Sequence, residues 1–303
     1  MSFNLDQISP QPSQVAIVTG ANTGLGYETA VGLAKKQIKV IMACRNEQKA
    51  DQAKSDILSE VPDADLDIMI VDLASLQSVR AFASAFKQKY QKLDLLINNA
   101  GVMVPPYSKT EDGFELQLGV NHLGHFLLTA KLIDHIPDRP ESRIVPLASI
   151  AHKRGKIHFD DLQWEEDYDR QDAYAQSKLA CLMFGDELNR RLKAHGKDIR
   201  AVTAHPGVSL TELSRHMPSF LINILKYTVG PFLTHPPEKG ALPTLQAALD
   251  PHLDGGEYLG PQGFREMTGK PGPAERSEIA CNQQTAEKLW EVSEELTDCK
   301  FTI

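Results

Sequence analysis

The stretch "QVAIVTGANTGLGYETAVGLAKK", residues 14–36, decides the fold. It begins with a short, β-rich apolar run, residues 15–19, that ends in glycine. After Gly24, the apolar residues Leu25, Ala30 and Leu33 recur at helical spacing. The turn between strand and helix carries Gly20, Gly24 and Gly26. Glycine permits tight turns and lets backbone approach a ligand closely. The start of the following helix offers unpaired N–H groups and a positive dipole end, which suit a pyrophosphate. Three glycines alone are a weak signal. Placed after the first strand and at the opening of a helix, they become a specific one. Asn22, Thr23 and Leu25 share the turn and are assigned with the glycines to cofactor contact. The spacing is G-x-x-x-G-x-G rather than G-x-G-x-x-G.

Outward from this unit, strand and helix patterns alternate. "KVIMAC" (39–44) is a second apolar strand and "NEQKADQAKSDILSEV" (46–61) a polar-faced helix. "LDIMIVDL" (66–73) and "SLQSVRAFASAFKQKY" (75–90) form the third pair. "LDLLINNAG" (93–101) is a fourth strand, followed by a helix from about Phe114 to Ile136. "SRIVPLAS" (142–149) is a fifth, followed by an insertion and a second long helix. "DIRAVTAHPG" (198–207) reads as a sixth strand and "GEYLGP" (256–261) as a seventh. The alternation implies βαβ units, and nearly continuous apolar strands imply burial on both sides. The expected fold is α/β: a Rossmann-type doubly wound sheet of about seven mostly parallel strands, helices on both faces. No linker divides the chain, so residues 1–303 are expected to form one domain with a flexible tail at 1–13.

The second long helix carries "DAYAQSKLA" (172–180), which puts Tyr174 and Lys178 on one face. A nearby cation favours phenolate and lowers a tyrosine's pKa from its usual value near ~10. Such a phenol exchanges a proton near neutral pH, as general acid–base catalysis requires.

These motifs, in this order, resemble the short-chain dehydrogenase/reductase family over nearly the whole chain. "TGANTGLG" is similar to its cofactor turn, and "NNAG" (Asn98–Gly101) to the motif that stabilises the central sheet beside the adenosine ribose. The resemblance assigns Asn99, Ala100 and Gly101 to the cofactor. It places Asp72 against the adenine, with Leu73 beside it. "HPG" (His205–Gly207) resembles the Pro-Gly turn near the nicotinamide, so Pro206, Gly207 and Val208 are assigned there. Thr211 matches a residue that meets the nicotinamide carboxamide or the phosphates. Tyr174 matches the proton donor to a carbonyl oxygen, and Lys178 the lysine that also grips the nicotinamide ribose. Ser149 matches the serine that hydrogen-bonds the substrate oxygen. Asn121 matches the asparagine that kinks its helix and holds a water touching the lysine. The strand before Ser149 departs from the pattern: Pro146 replaces a polar residue and removes a ladder donor.

The end of the second strand bears on the choice of cofactor. An acid there serves the ribose 2′-hydroxyl of NAD, whereas an arginine suits a 2′-phosphate. This chain has Cys44, Arg45 and Asn46, with the first acid at Glu47. Arg45 offers charge-assisted hydrogen bonds and Asn22 a neutral donor, and Asn46 is assigned to the same cofactor site. NADP(H) is the expected cofactor. An idle, solvated Arg45 is the competing reading.

"KIHFDDLQ" (156–163) in the insert and "GPQGFREMTGKPG" (260–272) resemble the retinol-dehydrogenase-like branch and its bacterial relatives. "VIMACR" is similar to a stretch of light-dependent protochlorophyllide reductases, though the rest fits the dehydrogenase branch better. Many vertebrate members of that branch carry an N-terminal membrane anchor. No uninterrupted apolar run here approaches the ~20 residues of a membrane span, so neither membrane residence nor retinoid use is carried over. Residues 205–236 are expected to form a substrate lid whose apolar set includes Met217, Phe220, Leu221 and Phe232, with simple packing of that set on the body as the competing reading. A hydrophobic carbonyl or alcohol substrate follows, since ligand pockets are mostly apolar.

The 303 residues are 42% hydrophobic with formal net charge -8, which argues against a broad basic face for nucleic acid or lipid. Four scattered cysteines suggest neither disulfides nor zinc, and a reducing cytoplasm is the expected home. His122 and His125 lack the i, i+4 spacing of a helical metal pair, and no metal is expected. Relatives often dimerise through the helices carrying Asn121 and Tyr174, so a homo-oligomer is an expectation that the insert could obstruct. The leading function is an NADP-dependent oxidoreductase interconverting an alcohol with an aldehyde or ketone. A non-catalytic NADP(H) sensor or scaffold and a carbon–carbon double-bond reductase stand as alternatives, because fold alone does not decide chemistry.

Overall fold

β1 (Val15–Thr19) takes the central position, hydrogen-bonded in parallel to β2 (Lys39–Cys44) on one side and β4 (Leu95–Asn98) on the other. The structure is a computed structural model that describes residues 3–208 and 236–303. β3 (Leu66–Ile70), β5 (Arg143–Pro146) and β6 (Arg200–Ala201) complete a six-stranded parallel sheet ordered β3-β2-β1-β4-β5-β6. The order reverses beside β1, so a crevice opens at the carboxyl ends of β1 and β4. That is where open α/β sheets bind ligands.

Side chains alternate across the strands. Ala16, Val18, Val40, Met42, Leu95 and Ile97 face α1 (Gly24–Ala34) and α7 (Pro237–Leu249). Ile17, Ile41, Leu96 and Ile144 face α3 (Leu76–Lys89), α5 (Gly124–Leu132) and α6 (Arg170–Ala194). Both faces are therefore dry, as the continuous apolar runs imply. α2 (Glu47–Glu60) packs beside β3.

The strand expected at 198–207 is interrupted. β7 (Thr203–Ala204) belongs to a second sheet with β8 (Tyr258–Pro261), parallel, and β9 (Pro271–Pro273), antiparallel. The cause is Pro146. Val202 N donates to Ile144 O (3.0 Å) and Ala148 N donates to Ala204 O (2.9 Å). In this register the donor that would reach Val202 O is the N–H that Pro146 lacks. A Leu147–Ala204 bridge keeps the two sheets contiguous. β9 escapes the sequence pattern because "PGP" reads as a turn, whereas an edge strand tolerates proline.

The helix expected from about Phe114 to Ile136 is also broken. α4 (Leu116–Leu118) runs into a π turn, Gly119–Leu123, before α5, and a 3-10 turn ends it. Single π turns inside helices are frequent at functional sites, and this one contains Asn121. α8 (Gln283–Leu296) seals the outer side of α5 and α6. Its Trp290 packs with Phe126 and Phe301, ring centroids 5.1 and 4.6 Å away. Residues 3–13 lie against the body: Phe3, Leu5 and Ile8 pack on the core and Gln11 N donates to Lys36 O (2.7 Å).

His122, His125 and His205 are enclosed, and burial pushes their pKa values down from 6.5 to about 3, 4 and 3 respectively. His122 shares a 2.8 Å hydrogen bond with Ser293 of α8. The folded chain therefore keeps these rings neutral at pH values where the unfolded chain protonates them. Their contribution to stability is fully present above pH 6.5 and is lost as pH falls towards about 4 for His125 and about 3 for His122 and His205. Each fully titrating histidine contributes about 1.4 kcal/mol per pH unit, or about 4 kcal/mol per unit for the three. Thermal unfolding midpoints should hold between pH 8 and 7, as rough bounds above the histidine range, and fall steeply below it. A flat midpoint across the acid range would contradict this.

Candidate active site

A cleft of about 710 Å³ lies at the carboxyl ends of β1, β2 and β4 and reaches Tyr174 on α6. Its near wall is the β1–α1 turn. Gly20 (φ +69°) and Gly24 (φ +56°) adopt left-handed backbone that other residues reach only with strain. A Cβ on Gly26 would collide with Gly20 O and the Asn99 amide. Thr23 occupies the N-cap of α1 and makes no side-chain capping bond. The first-turn N–H groups of α1 are thus left to the cleft, which Thr23, Gly24, Leu25 and Gly26 line. This turn fits a dinucleotide pyrophosphate.

Beyond the turn, the cleft passes Asn22 and Arg45, then Asp72 and Leu73, then Asn99, Ala100 and Gly101. One Asp72 carboxylate oxygen accepts from Ala74 N at 2.9 Å. Arg45 is exposed at the end of β2. Its neighbour Cys44 is buried and burial pushes its thiol up to about 11, so no negative group ends this strand. Asn46 lies outside the cleft lining: its side-chain oxygen caps α2 by accepting from Lys49 N (2.9 Å). At the far end stand Pro206, Tyr174 and Lys178. Gly207 (φ +75°) and Val208 follow, and Val208 N donates to Met267 O (2.9 Å). Thr211 and the apolar set Met217–Phe232 lie outside the described residues.

Asp169 caps α6 by accepting from Gln171 N (2.8 Å) and Asp172 N (2.9 Å). That cap starts the helix just before Tyr174. Lys178 Nζ, one turn on, donates to Leu147 O (2.9 Å) and stands 5.9 Å from the centre of the Tyr174 ring. Both residues are buried. Asn121 Nδ2 donates to Ser177 Oγ (2.9 Å), and Ser177 donates to Tyr174 O (2.8 Å). A Cβ on Gly101 would stand 3.0 Å from Asn121 Oδ1 and 3.6 Å from Lys178 Nζ, so the glycine lets these three elements meet.

Ser149 follows β5 and caps a short 3-10 helix, Ile150–Arg154, its Oγ accepting from Ala151 N (3.2 Å). Ala148 before it lines the cleft. Ile150 and Ala151 after it line a second pocket of about 460 Å³ with Val104, Lys153, Arg154, Gln171 and Tyr174. Tyr174 borders both spaces, whereas Ser149 follows Ala148 and precedes Ile150 in the chain without lining either. His152 is fully buried behind the serine. Its Nε2 accepts from Ser277 N (3.2 Å), which leaves Nδ1–H to donate to Ser149 O (2.7 Å). Burial also lowers the pKa of His152. Its place just after Ser149 in the sequence suits either a residue bordering the substrate or a plain loop residue, and nothing in its neighbours foretells the bond to Ser277.

The structure adds apolar lining that the motifs do not name. Val71, Val102, Met103, Leu116, Val120 and Leu147 all border the cleft. Position at the carboxyl end of a strand is the one available signal, and it marks Val71 and Leu147. Among the described residues no cluster of histidine, cysteine, aspartate or glutamate could hold a metal, and no helix is long and apolar enough to cross a membrane.

An open parallel sheet, a glycine turn with no side-chain cap and a buried Tyr–Lys pair meet across one cleft. Comparison with known proteins places the chain in a family. The short chain dehydrogenase family model matches residues 14–220. Human retinol dehydrogenase 13 is 42% identical over 291 residues, covering 94% of this chain and 85% of the relative. Mouse retinol dehydrogenase 12 is 42% identical over 287 residues, covering 94% and 86%. A crystal structure of an uncharacterized protein from Mycobacterium paratuberculosis superimposes with a TM-score of 0.83 at 36% identity, covering 100% of both chains. The chain belongs to the short-chain dehydrogenase family, in its retinol-dehydrogenase-like branch. It is an oxidoreductase of the alcohol/carbonyl class in a family that binds a nicotinamide cofactor.

Proposed function

We propose that the chain interconverts an apolar alcohol with its aldehyde or ketone, using NADP(H). The observation that carries this reading is the position of Tyr174, which borders both the dinucleotide cleft and the second pocket. A bound nicotinamide supplies the hydride in reduction and accepts it in oxidation. Tyr174 gives its phenolic proton to the carbonyl oxygen in the first direction and takes the alcohol proton in the second. Lys178, held on Leu147 O, stabilises the phenolate that results. Ser149 donates to the same substrate oxygen, its backbone held by His152. Asn121 ties the π turn to the start of α6 through Ser177.

Arg45 at the edge of the cleft supports the choice of NADP(H). It would pair with the 2′-phosphate while neutral Cys44 leaves nothing to repel it. Asn22 and the glycine turn complete the grip on the phosphates. The apolar side chains of Val104, Ile150 and Ala151 in the second pocket support a hydrophobic substrate. So do the names of the retinol dehydrogenase relatives, which act in that direction for those proteins.

A series of straight-chain aldehydes tests the substrate half of the proposal. Each methylene buried is worth about 0.8 kcal/mol, so kcat/KM with NADPH should rise about fourfold per carbon until the pocket is full. Equal activity on the shortest and the longest members would contradict an apolar pocket. Failure of every aldehyde and ketone to consume NADPH, with the cofactor still bound, would favour a binding role instead.

A further inference from the structure

We propose that His125 is a positioning residue that couples the floor of the dinucleotide cleft to the helix carrying Tyr174. The inference rests on the functional reading above and adds a residue to it. Thr19, the last residue of β1, accepts from Asn99 N and Ala100 N, both at 2.9 Å. Asn99 and Ala100 line the cleft. Those two bonds use both acceptor sites of the hydroxyl. Its single proton goes to His125 Nε2, 2.9 Å away, a closer partner than Ile97 O at 3.3 Å.

His125 Nε2 is then an acceptor, and a neutral ring carries its proton on Nδ1. Nδ1 stands 3.0 Å from Asn121 O and donates to it. The same carbonyl receives the Cys181 thiol at 3.1 Å. From Asn121 the bonds continue through Nδ2 to Ser177 Oγ and from Ser177 to Tyr174 O. Thr19, His125, Asn121 and Ser177 are all buried, so no water substitutes for a lost link without rearrangement. One tautomer of one ring thus joins the cofactor floor, the π turn and the proton donor's helix.

Amide side chains separate the two ends of the ring. In His125→Gln the amide stands near the Nε2 position, keeps an acceptor for Thr19 and loses the donor to Asn121. In His125→Asn it stands near Nδ1, keeps that donor and loses Thr19. Each variant is assayed for the NADPH dissociation constant by fluorescence titration and for kcat with the best aldehyde. A lost buried hydrogen bond of about 1.4 kcal/mol is a tenfold change. His125→Gln should lower kcat about tenfold and leave the dissociation constant within about twofold. His125→Asn should raise the dissociation constant about tenfold and spare more of kcat. Ser177→Ala, which cuts the last link without enlarging any residue, should behave as His125→Gln does and covers the case in which a histidine variant does not fold.

Variants that alter kcat and NADPH affinity in parallel, or alter neither, would overturn the coupling. So would variants that lower only the melting temperature. Wild-type turnover in the same assay keeps the two claims apart. Without it the functional reading fails, and with it any failure belongs to His125.

Discussion

Tyr174→Phe should lower kcat by about 10²- to 10⁴-fold, the range general acid–base catalysis supplies, with NADPH affinity kept within about twofold. Phenylalanine keeps the ring that packs at the start of α6, so a buried residue is replaced without a cavity. Only the oxygen that moves the proton is removed. Steady-state kinetics with the best aldehyde and a fluorescence titration of NADPH check the two halves separately. Lys178→Met provides the contrast. Its ammonium is fixed on Leu147 O and also lines the cofactor cleft, so its loss should damage both turnover and cofactor binding. A Tyr174→Phe variant with wild-type kcat would remove tyrosine from the chemistry altogether.

Arg45→Asp should reverse the cofactor preference. Charge-assisted hydrogen bonds contribute about 1.5–3 kcal/mol, so their loss alone weakens NADPH by about ten- to a hundredfold. The new carboxylate would also repel the 2′-phosphate and accept from the 2′-hydroxyl of NADH. The ratio of kcat/KM for NADPH over NADH should therefore fall by about 10²- to 10³-fold. The exposed position of Arg45 makes a folding defect an implausible cause of such a change. A ratio that does not move would mean that Arg45 is a solvated charge with no part in the site.

Much of this site is local in the chain, which is why it is legible there. The β1–α1 turn, Arg45 beyond β2 and the Tyr174–Lys178 pair are each contained within one strand–helix unit or one helical turn. Periodicity and short-range spacing report such features directly. The features that escape are those in which distant segments meet. Pro146 is visible as a missing donor, but only the register with Val202 shows that it splits one strand into β6 and β7. His152 reads as a loop residue until Ser277, far along the chain, supplies the bond that fixes its tautomer. His122 gains its meaning from Ser293 in α8, and His125 from Thr19 at the end of β1. The π turn around Asn121 spans only five residues, too few for apolar periodicity to mark it, so the sequence points to a kink there through the family resemblance alone.

The most direct test of the central claim uses NADPH carrying deuterium on the transferring face of its nicotinamide ring, with an apolar aldehyde as acceptor. Hydride transfer to a carbonyl with protonation by Tyr174 predicts one deuterium on the carbinol carbon of the alcohol formed, at one equivalent per NADPH consumed, and almost no product with Tyr174→Phe. Deuterium on a carbon of a reduced double bond, or NADPH bound without any transfer across a broad carbonyl panel, would contradict it.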